Sequence, residues 1–332
     1  MFGLIVMMED IVVDKKYFFS FIDDAIWVFR DLTRQRPKSM FDHPFFAILK
    51  NAHEKWGLKT QINLFYRTDY FYGLDEFNLS EMTDCYKSEW EASSDWLKLG
   101  FHSYQEFPDY PHINASYDDM YRLFNMIKDE VVRFAGEKSF TYGVVPHWVP
   151  VSYDGCRALY DCGAEIVCVT VGQTKEFDGD FDSLPYGHAG RLLQNRKPET
   201  KLFTRITKDV AITNSICGYN HFSDPALFDN DKVLGFVVDK KTGLRFKKLD
   251  DNFDLNNYNV EELRQELTRR RNDELICIGN HEQYFFKDYL AYEPDYADRI
   301  YEMAKILIED EGRECIFIED LVKLGVSKRI KK

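Results

Sequence analysis

The pair Asp23-Asp24 closes an apolar run, Tyr17-Phe18-Phe19-Ser20-Phe21-Ile22, and three lone histidines stand in the same relation to later runs. His102 follows Leu97-Lys98-Leu99-Gly100-Phe101, His147 follows Tyr142-Gly143-Val144-Val145-Pro146, and His281 follows Leu275-Ile276-Cys277-Ile278-Gly279-Asn280. If these runs are parallel strands of one barrel, their carboxyl ends gather at one mouth, where a barrel builds its active site. Carboxylates and imidazoles are the groups that hold a divalent cation and move protons, so their convergence implies metal-assisted hydrolysis. One Asp at such a place could be a helix cap, and one His a satisfied core residue. The doubled acid and the repeated histidine point instead to function.

The elements that must position these residues follow a strand-helix beat. After the first strand, Asp23 or Asp24 can cap a helix running through Leu32, and Pro44 to Trp56 reads as a second helix with Asp42 near its start and Gly57 behind it. Lys59 to Tyr66 is strand two, residues 67–95 are irregular and could extend the mouth, and Trp96 to Phe101 is strand three. Ser116 to Asp119 resembles a capping box with Asp in its third position, ahead of the stripe Met120, Phe124, Ile127, Val131 and Phe134, with Gly136 as the stop. Phe140 to Val145 is strand four, Tyr153 to Asp161 a short helix and Glu165 to Val169 strand five. Between residues 172 and 259 the beat breaks; Leu202 to Thr213 looks extended, and Val233 to Leu249 reads as a hairpin around Lys240-Lys241-Thr242-Gly243. Asn259 and Glu262 then start a helix through Arg271, Leu275 to Ile278 is a buried strand, Tyr296 to Glu311 a helix, and Cys315 to Ile318 a last strand. The expected fold is α/β: a distorted (β/α)7-type barrel of parallel strands, one domain over residues 1–332 with an elaborated insertion at about 172–259. No Gly-rich phosphate fingerprint follows an early strand, which argues against a nucleotide site.

Composition narrows the function classes. The formal charge of −13 and the absence of a basic stretch before the Lys328-Arg329-Ile330-Lys331-Lys332 tail exclude nucleic acid as the expected partner. The apolar start, Met1 to Met8, lacks a basic n-region and a cleavage site, and no window reaches the ~20 apolar residues of a membrane span. A cytoplasmic location away from the membrane is the expectation, and the 7 Cys fit reduced thiols. Cys156, Cys162 and Cys168 do not share a face, so their even spacing is not a metal motif. Asp178 to Asp182 resembles the start of a calcium loop, but Ser183 and Ala189 stand where its Gly and Glu belong, which leaves a solvated acidic turn. The 16% aromatic content, with 27 Phe and 20 Tyr, exceeds what the core needs and suggests rings lining a cleft.

The motifs resemble those of the polysaccharide deacetylase (NodB homology) family, within the glycoside hydrolase/deacetylase barrel superfamily. Phe21-Ile22-Asp23-Asp24 resembles Thr-Phe-Asp-Asp, whose first Asp is the base and whose second binds the metal. His102-Ser103-Tyr104-Gln105-Glu106 resembles His-Ser/Thr-x-x-His, with Glu106 in place of the second metal histidine. Leu275 to Glu282 is similar to Leu-x-x-His-Asp, whose histidine is the acid. The Arg-Pro-Pro motif that orients the base is not found; Val145-Pro146-His147-Trp148 occupies its place. The resemblance therefore implies Asp24, His102 and Glu106 as ligands of a divalent metal, zinc with manganese or cobalt as alternatives. It implies Asp23 as base and His281 as acid oriented by Glu282, with His147, Trp148 and Tyr104 as substrate contacts. Asp109 or His112 could replace Glu106 if the backbone turns differently, and His147 could be an extra ligand.

The implied reaction is removal of an N- or O-acetyl group from a carbohydrate substrate. Two other readings compete: a catalytically degenerate barrel that binds glycan or protein, motivated by Glu106 and the missing Arg, and a glycosidase of the same superfamily using two carboxylates. Nothing in the sequence fixes an oligomeric state.

Overall fold

A computed structural model describes residues 15–68, 76–107, 111–112, 115–149, 151–169, 226, 228–231, 234–249, 253–289 and 291–327. The Met1 to Met8 start, Asp109, the Asp178 to Asp182 turn, the Leu202 to Thr213 stretch and the basic tail lie outside the described residues. The chain builds strand β1 (Tyr17–Ala25), helices α1 (Trp27–Gln35) and α2 (Pro44–Trp56), β2 (Thr60–Phe65), α3 (Lys87–Ser93) and β3 (Leu97–Ser103). It continues with α4 (Tyr117–Ala135), β4 (Gly143–Val144), α5 (Tyr153–Asp161) and β5 (Ile166–Val169). Strands β6 (Phe228–Asp231), β7 (Phe236–Asp239), β8 (Arg245–Lys248) and β9 (Phe253–Asp254) follow. Then come α6 (Val260–Arg269), β10 (Leu275–His281), α7 (Tyr296–Ala304), β11 (Glu314–Cys315) and α8 (Asp320–Ser327).

One sheet runs β3-β2-β1-β10-β9, all parallel, with β11 beside the start of β1. A second runs β4-β5-β8-β7-β6, parallel as far as β8 and antiparallel beyond. A parallel bridge between Leu99 and Phe140 links β3 to the approach of β4. The parallel strands thus follow one another in barrel-like order from β9 to β8, while no ladder joins β8 to β9 among the described residues. Strand β8 lies inside the stretch read as an insertion yet extends the parallel wall beside β5. Among the described residues no helix is long and apolar enough to cross a membrane.

Alternation along β1 sorts the core into two layers, because successive strand side chains face opposite ways. Phe18 and Ile22 join the large cluster under the helices. Tyr17, Phe19 and Phe21 face the other way, with Val145, Ile166, Cys168 and Cys277. Helix α4 begins where Ser116 accepts the Asp119 amide at 3.2 Å and buries the expected stripe, and Gly136 leaves it at φ 88°. The expected hairpin forms among the described residues, with β7 and β8 antiparallel.

Three local expectations change. Residues 67–95 are not wholly irregular, since they hold α3 and a tight turn at Leu79–Glu81. Strand four and the last strand shrink to Gly143–Val144 and Glu314–Cys315, because few of their residues find a ladder partner. Most consequentially, neither Asp23 nor Asp24 caps α1. The cap comes from far along the chain: the buried Glu282 carboxylate accepts the amides of Ile26, Trp27 and Val28 at 2.9, 2.8 and 2.6 Å. Burial pushes this carboxyl up to about 8, against the pull of those amides. The contact also ties the end of β10 to the end of β1, and with it fixes the spacing of the residues both strands deliver.

Replacing Glu282 by Ala strands those amides in the core, where an unmade hydrogen bond costs roughly 1–3 kcal/mol. Urea unfolding of Glu282→Ala should show an unfolding free energy lowered by at least about that amount, seen as a lower midpoint with an unchanged slope. A wild-type midpoint would show that the carboxylate does not hold the two strand ends.

Candidate metal centre

In a flat strand Asp23 and Asp24 would face opposite sides. The register of β1 with β2 slips between Ile22 and Ala25, and Asp24 takes a left-handed φ of 61°, a region Asp enters more readily than most residues. Asp23 keeps the phase of Phe19 and Phe21, and the slip returns Asp24 to the same side. Asp23 Oδ1 consequently lies 3.7 Å from His102 Nδ1, and Asp24 Oδ1 lies 3.0 Å from His102 Nε2.

His102, at the end of β3, and His147, just past β4, complete the centre. Asp24 Oδ1, His102 Nε2 and His147 Nδ1 stand 3.0, 3.1 and 3.1 Å apart, and all three residues are buried. The protons of both rings are used elsewhere. His102 Nδ1 donates to the Val145 carbonyl at 2.6 Å, and His147 Nε2 donates to the Glu106 carbonyl at 2.8 Å. Since a carbonyl can only accept, these bonds fix the tautomers and turn the bare nitrogens toward Asp24. The chain leaves His147 through Trp148 and Val149 at φ 58° and 73°, a strained path for a β-branched residue that commits the ring to its direction.

Three donor atoms meeting among buried side chains could hold a metal ion. Two His and one Asp suit a divalent ion and leave coordination positions open, the donor pattern of catalytic rather than closed structural sites. Their mutual spacing matches neighbouring corners around an ion with bonds of ~2.0–2.1 Å. Outer hydrogen bonds from each ring to a carbonyl are the usual support of ligating histidines. With only protons available, His102 takes the cation role: burial opposes its charge, but Asp23 and Asp24 outweigh it and raise the imidazole to about 9. Asp24 is buried too, yet His147 and His102 hold its carboxyl well below the usual carboxylate range.

Glu106 is not in the trio. Its backbone carbonyl takes the His147 proton, while its carboxylate accepts Gln283 Nε2 at 2.9 Å and stays 3.9 Å from His147 Nε2. His147, read mainly as a substrate contact, stands where Glu106 was expected. His112 donates Nε2–H to the His102 carbonyl at 3.1 Å, which keeps it outside the trio as well.

His281 reaches the mouth with Nε2 3.9 Å from Asp24 Oδ2. Its Nδ1 is held by Asn256 Oδ1 at 2.9 Å, not by Glu282, whose carboxylate is committed to α1. Asn256 is held in turn by Glu293 at 3.1 Å, and Glu293 by Arg299 at 2.7 Å. Asp23 accepts Asn63 Nδ2 at 2.7 Å; burial raises its carboxyl to about 7, with Asp24 adding to the rise and His102 and Asn63 opposing it. Trp148 packs on His147 with ring centres 5.6 Å apart, and the exposed Tyr104 stacks on Tyr66 at 5.7 Å. Asn63, Asn256 and Gln283 were not singled out from the sequence. For Asn63 a sign existed, since Gln61 and Asn63 are polar on one face of a strand that is otherwise apolar around them.

No family model matches the chain, and no curated protein matches its sequence. Among solved structures, a 4-alpha-glucanotransferase from Thermococcus litoralis aligns with 93% of this chain at 12% identity and a TM-score of 0.48. The chain spans 40% of that enzyme's length. A protein named as a polysaccharide deacetylase from Mycobacterium smegmatis aligns with 95% of this chain and 92% of its own, at 11% identity and a TM-score of 0.46. Both are remote likenesses.

Zinc or cobalt should raise the melting temperature of the wild-type chain, by an amount equivalent to about 2.7 kcal/mol at a hundredfold excess over Kd. His147→Ala and Asp24→Ala should abolish the rise, and Glu106→Gln should keep most of it. Because His102 in the metal-free protein carries its proton up to about 9, binding must expel that proton. Affinity measured by calorimetry should therefore weaken as pH falls below 9, about tenfold per unit for one proton. Affinity that is flat with pH would remove His102 from the ligand set.

Proposed function

We propose that this chain is a metal-dependent hydrolase that removes an acetyl group from an N- or O-acetylated carbohydrate. The observation that carries the reading is the convergence of Asp24 Oδ1, His102 Nε2 and His147 Nδ1, with Asp23 3.7 Å from His102 Nδ1 and His281 3.9 Å from Asp24 Oδ2. A divalent ion, zinc by preference, would be held by Asp24, His102 and His147 and would supply polarisation of the acyl carbonyl and acidification of a water.

The remaining work falls to the chain's own groups. Asp23, raised to about 7, is poised to take the proton of the attacking water near neutral pH. His281 presents Nε2 to the mouth because Asn256 holds Nδ1, and from there it protonates the departing amine or alkoxide. Glu106 and Glu282 move no proton in this scheme; one supports His147 through its backbone and the other anchors α1. Trp148 beside His147, with Tyr104 on Tyr66, offers flat faces for a sugar ring.

The metal-loaded chain should release acetate from N-acetylglucosamine oligomers or acetylated xylan without creating new reducing ends. Asp23→Asn should retain the metal and lose ~10²- to 10⁴-fold in turnover. Reducing ends without acetate would identify a glycosidase instead, and a metal-loaded chain that binds glycan without turning it over would identify a binding module.

A further inference from the structure

We infer that Gln61 and Asn63 are positioning residues for Asp23, forming an amide ladder that starts at a main-chain carbonyl and fixes the direction of the base. The inference rests on the proposed role of Asp23. Gln61 Nε2 donates to the Gly143 carbonyl at 2.8 Å and to Asn63 Oδ1 at 2.7 Å, and Asn63 Nδ2 donates to Asp23 Oδ1 at 2.7 Å. The order of the atoms is dictated. The Gly143 carbonyl can only accept, so the Gln61 group facing it is the NH2. The second proton of that NH2 requires the oxygen of Asn63, and Asn63 is left with only its own NH2 to offer Asp23.

Three features argue that the ladder serves the base and not the core. Gln61 and Asn63 are fully or almost fully buried at the middle of β2, where apolar side chains would pack without hydrogen-bond constraints. Gln61 Oε1 is buried with no hydrogen-bond partner among the described residues, a cost that a residue kept for stability alone would avoid. Finally, the facing strand makes room for the ladder with a glycine. A Cβ on Gly100 would lie 2.7 Å from Asn63 Oδ1, 3.0 Å from Thr141 Cγ2 and 3.1 Å from Gln61 Nε2.

The decisive comparison uses crystal structures and kinetics of the zinc-loaded wild type and Asn63→Leu. With the ladder cut, the Asp23 carboxylate should turn away from the His102 ring while Asp24, His102 and His147 stay in place. Acetate release from N-acetylglucosamine oligomers should lose ~10- to 100-fold in kcat, with KM and zinc affinity unchanged. In an Asp23→Asn background the same substitution should cost nothing further, because its effect passes through Asp23. Gly100→Ala, which leaves both amides in place and crowds Asn63 Oδ1, should reproduce the kcat loss even if Asn63→Leu fails to fold. An Asp23 carboxylate that keeps its direction in Asn63→Leu, or losses that track zinc affinity and melting temperature in every variant, would overturn the inference. Wild-type chain that releases no acetate would defeat the proposed reaction, while the direction of Asp23 in the two crystal structures would still decide the role of Asn63.

Discussion

The centre depends on one backbone reversal near the end of a buried strand. Asp24 at φ 61° costs of order 1–3 kcal/mol relative to an extended residue, and the strand accepts it because neighbours on both sides over-determine its course. Strand β10 pairs with β1 from Tyr17 to Asp23 without a break, so the slip is confined to the β2 side. Immediately after the reversal, Glu282 grips the first amides of α1. A misplaced Asp24 would drag α1 away from that carboxylate. Among the described residues, three of the four non-glycine left-handed residues, Asp24, Trp148 and Val149, lie at or beside the trio. Strain is concentrated where direction matters.

Four buried carboxylates lie at or just beyond strand ends, and each is satisfied in a different way. Glu282 is saturated by backbone amides, Glu106 is held by Gln283, and Asp23 takes an amide from Asn63. Asp24 has for its close partners two imidazole nitrogens whose protons are bonded elsewhere. A buried anion facing two acceptors is unstable unless a positive charge sits among them. The same electrostatic demand that lifts His102 to about 9 makes the trio receptive to a divalent ion.

Much of this arrangement was legible from local pattern. Strand ends carrying Asp23, Asp24, His102 and His281 announce themselves as apolar runs ending in a polar residue, and α4 is written in its cap and stripe. Other parts were decided by contacts between segments far apart in sequence. Whether Glu106 or His147 completes the trio depends on how the chain turns after β3; there the backbone of Glu106, not its side chain, meets the His147 ring. The helix α1 cap was misassigned for the same reason. Asp23-Asp24 sits at the right place in sequence, but the β1 slip commits both carboxylates to the mouth and a residue beyond 280 supplies the cap. Gln61 and Asn63 were hidden because two amides in a strand look like ordinary tolerated polarity until Gly100 and the Gly143 carbonyl are seen around them.

The supports of Asp23 and His281, the two groups proposed to move protons, mirror each other. Asp23 receives an N–H from Asn63, so its carboxylate is held in the form that accepts a proton. His281 gives its Nδ1 proton to the oxygen of Asn256, so its Nε2 is left to exchange the mobile proton. In each case a neutral amide stands between the working group and a fixed anchor, the Gly143 carbonyl on one side and the Glu293–Arg299 pair on the other. A permanent charge in direct contact would orient these groups equally well, but it would pull the base toward permanent ionisation or tie the acid to one protonation state. An amide orients with a weaker pull on the charge than an ion would exert: Asn63 lowers the Asp23 carboxyl, yet burial still leaves it at about 7. In the proposed reaction, Asn at positions 63 and 256 would direct the base and the acid without placing a formal charge against either.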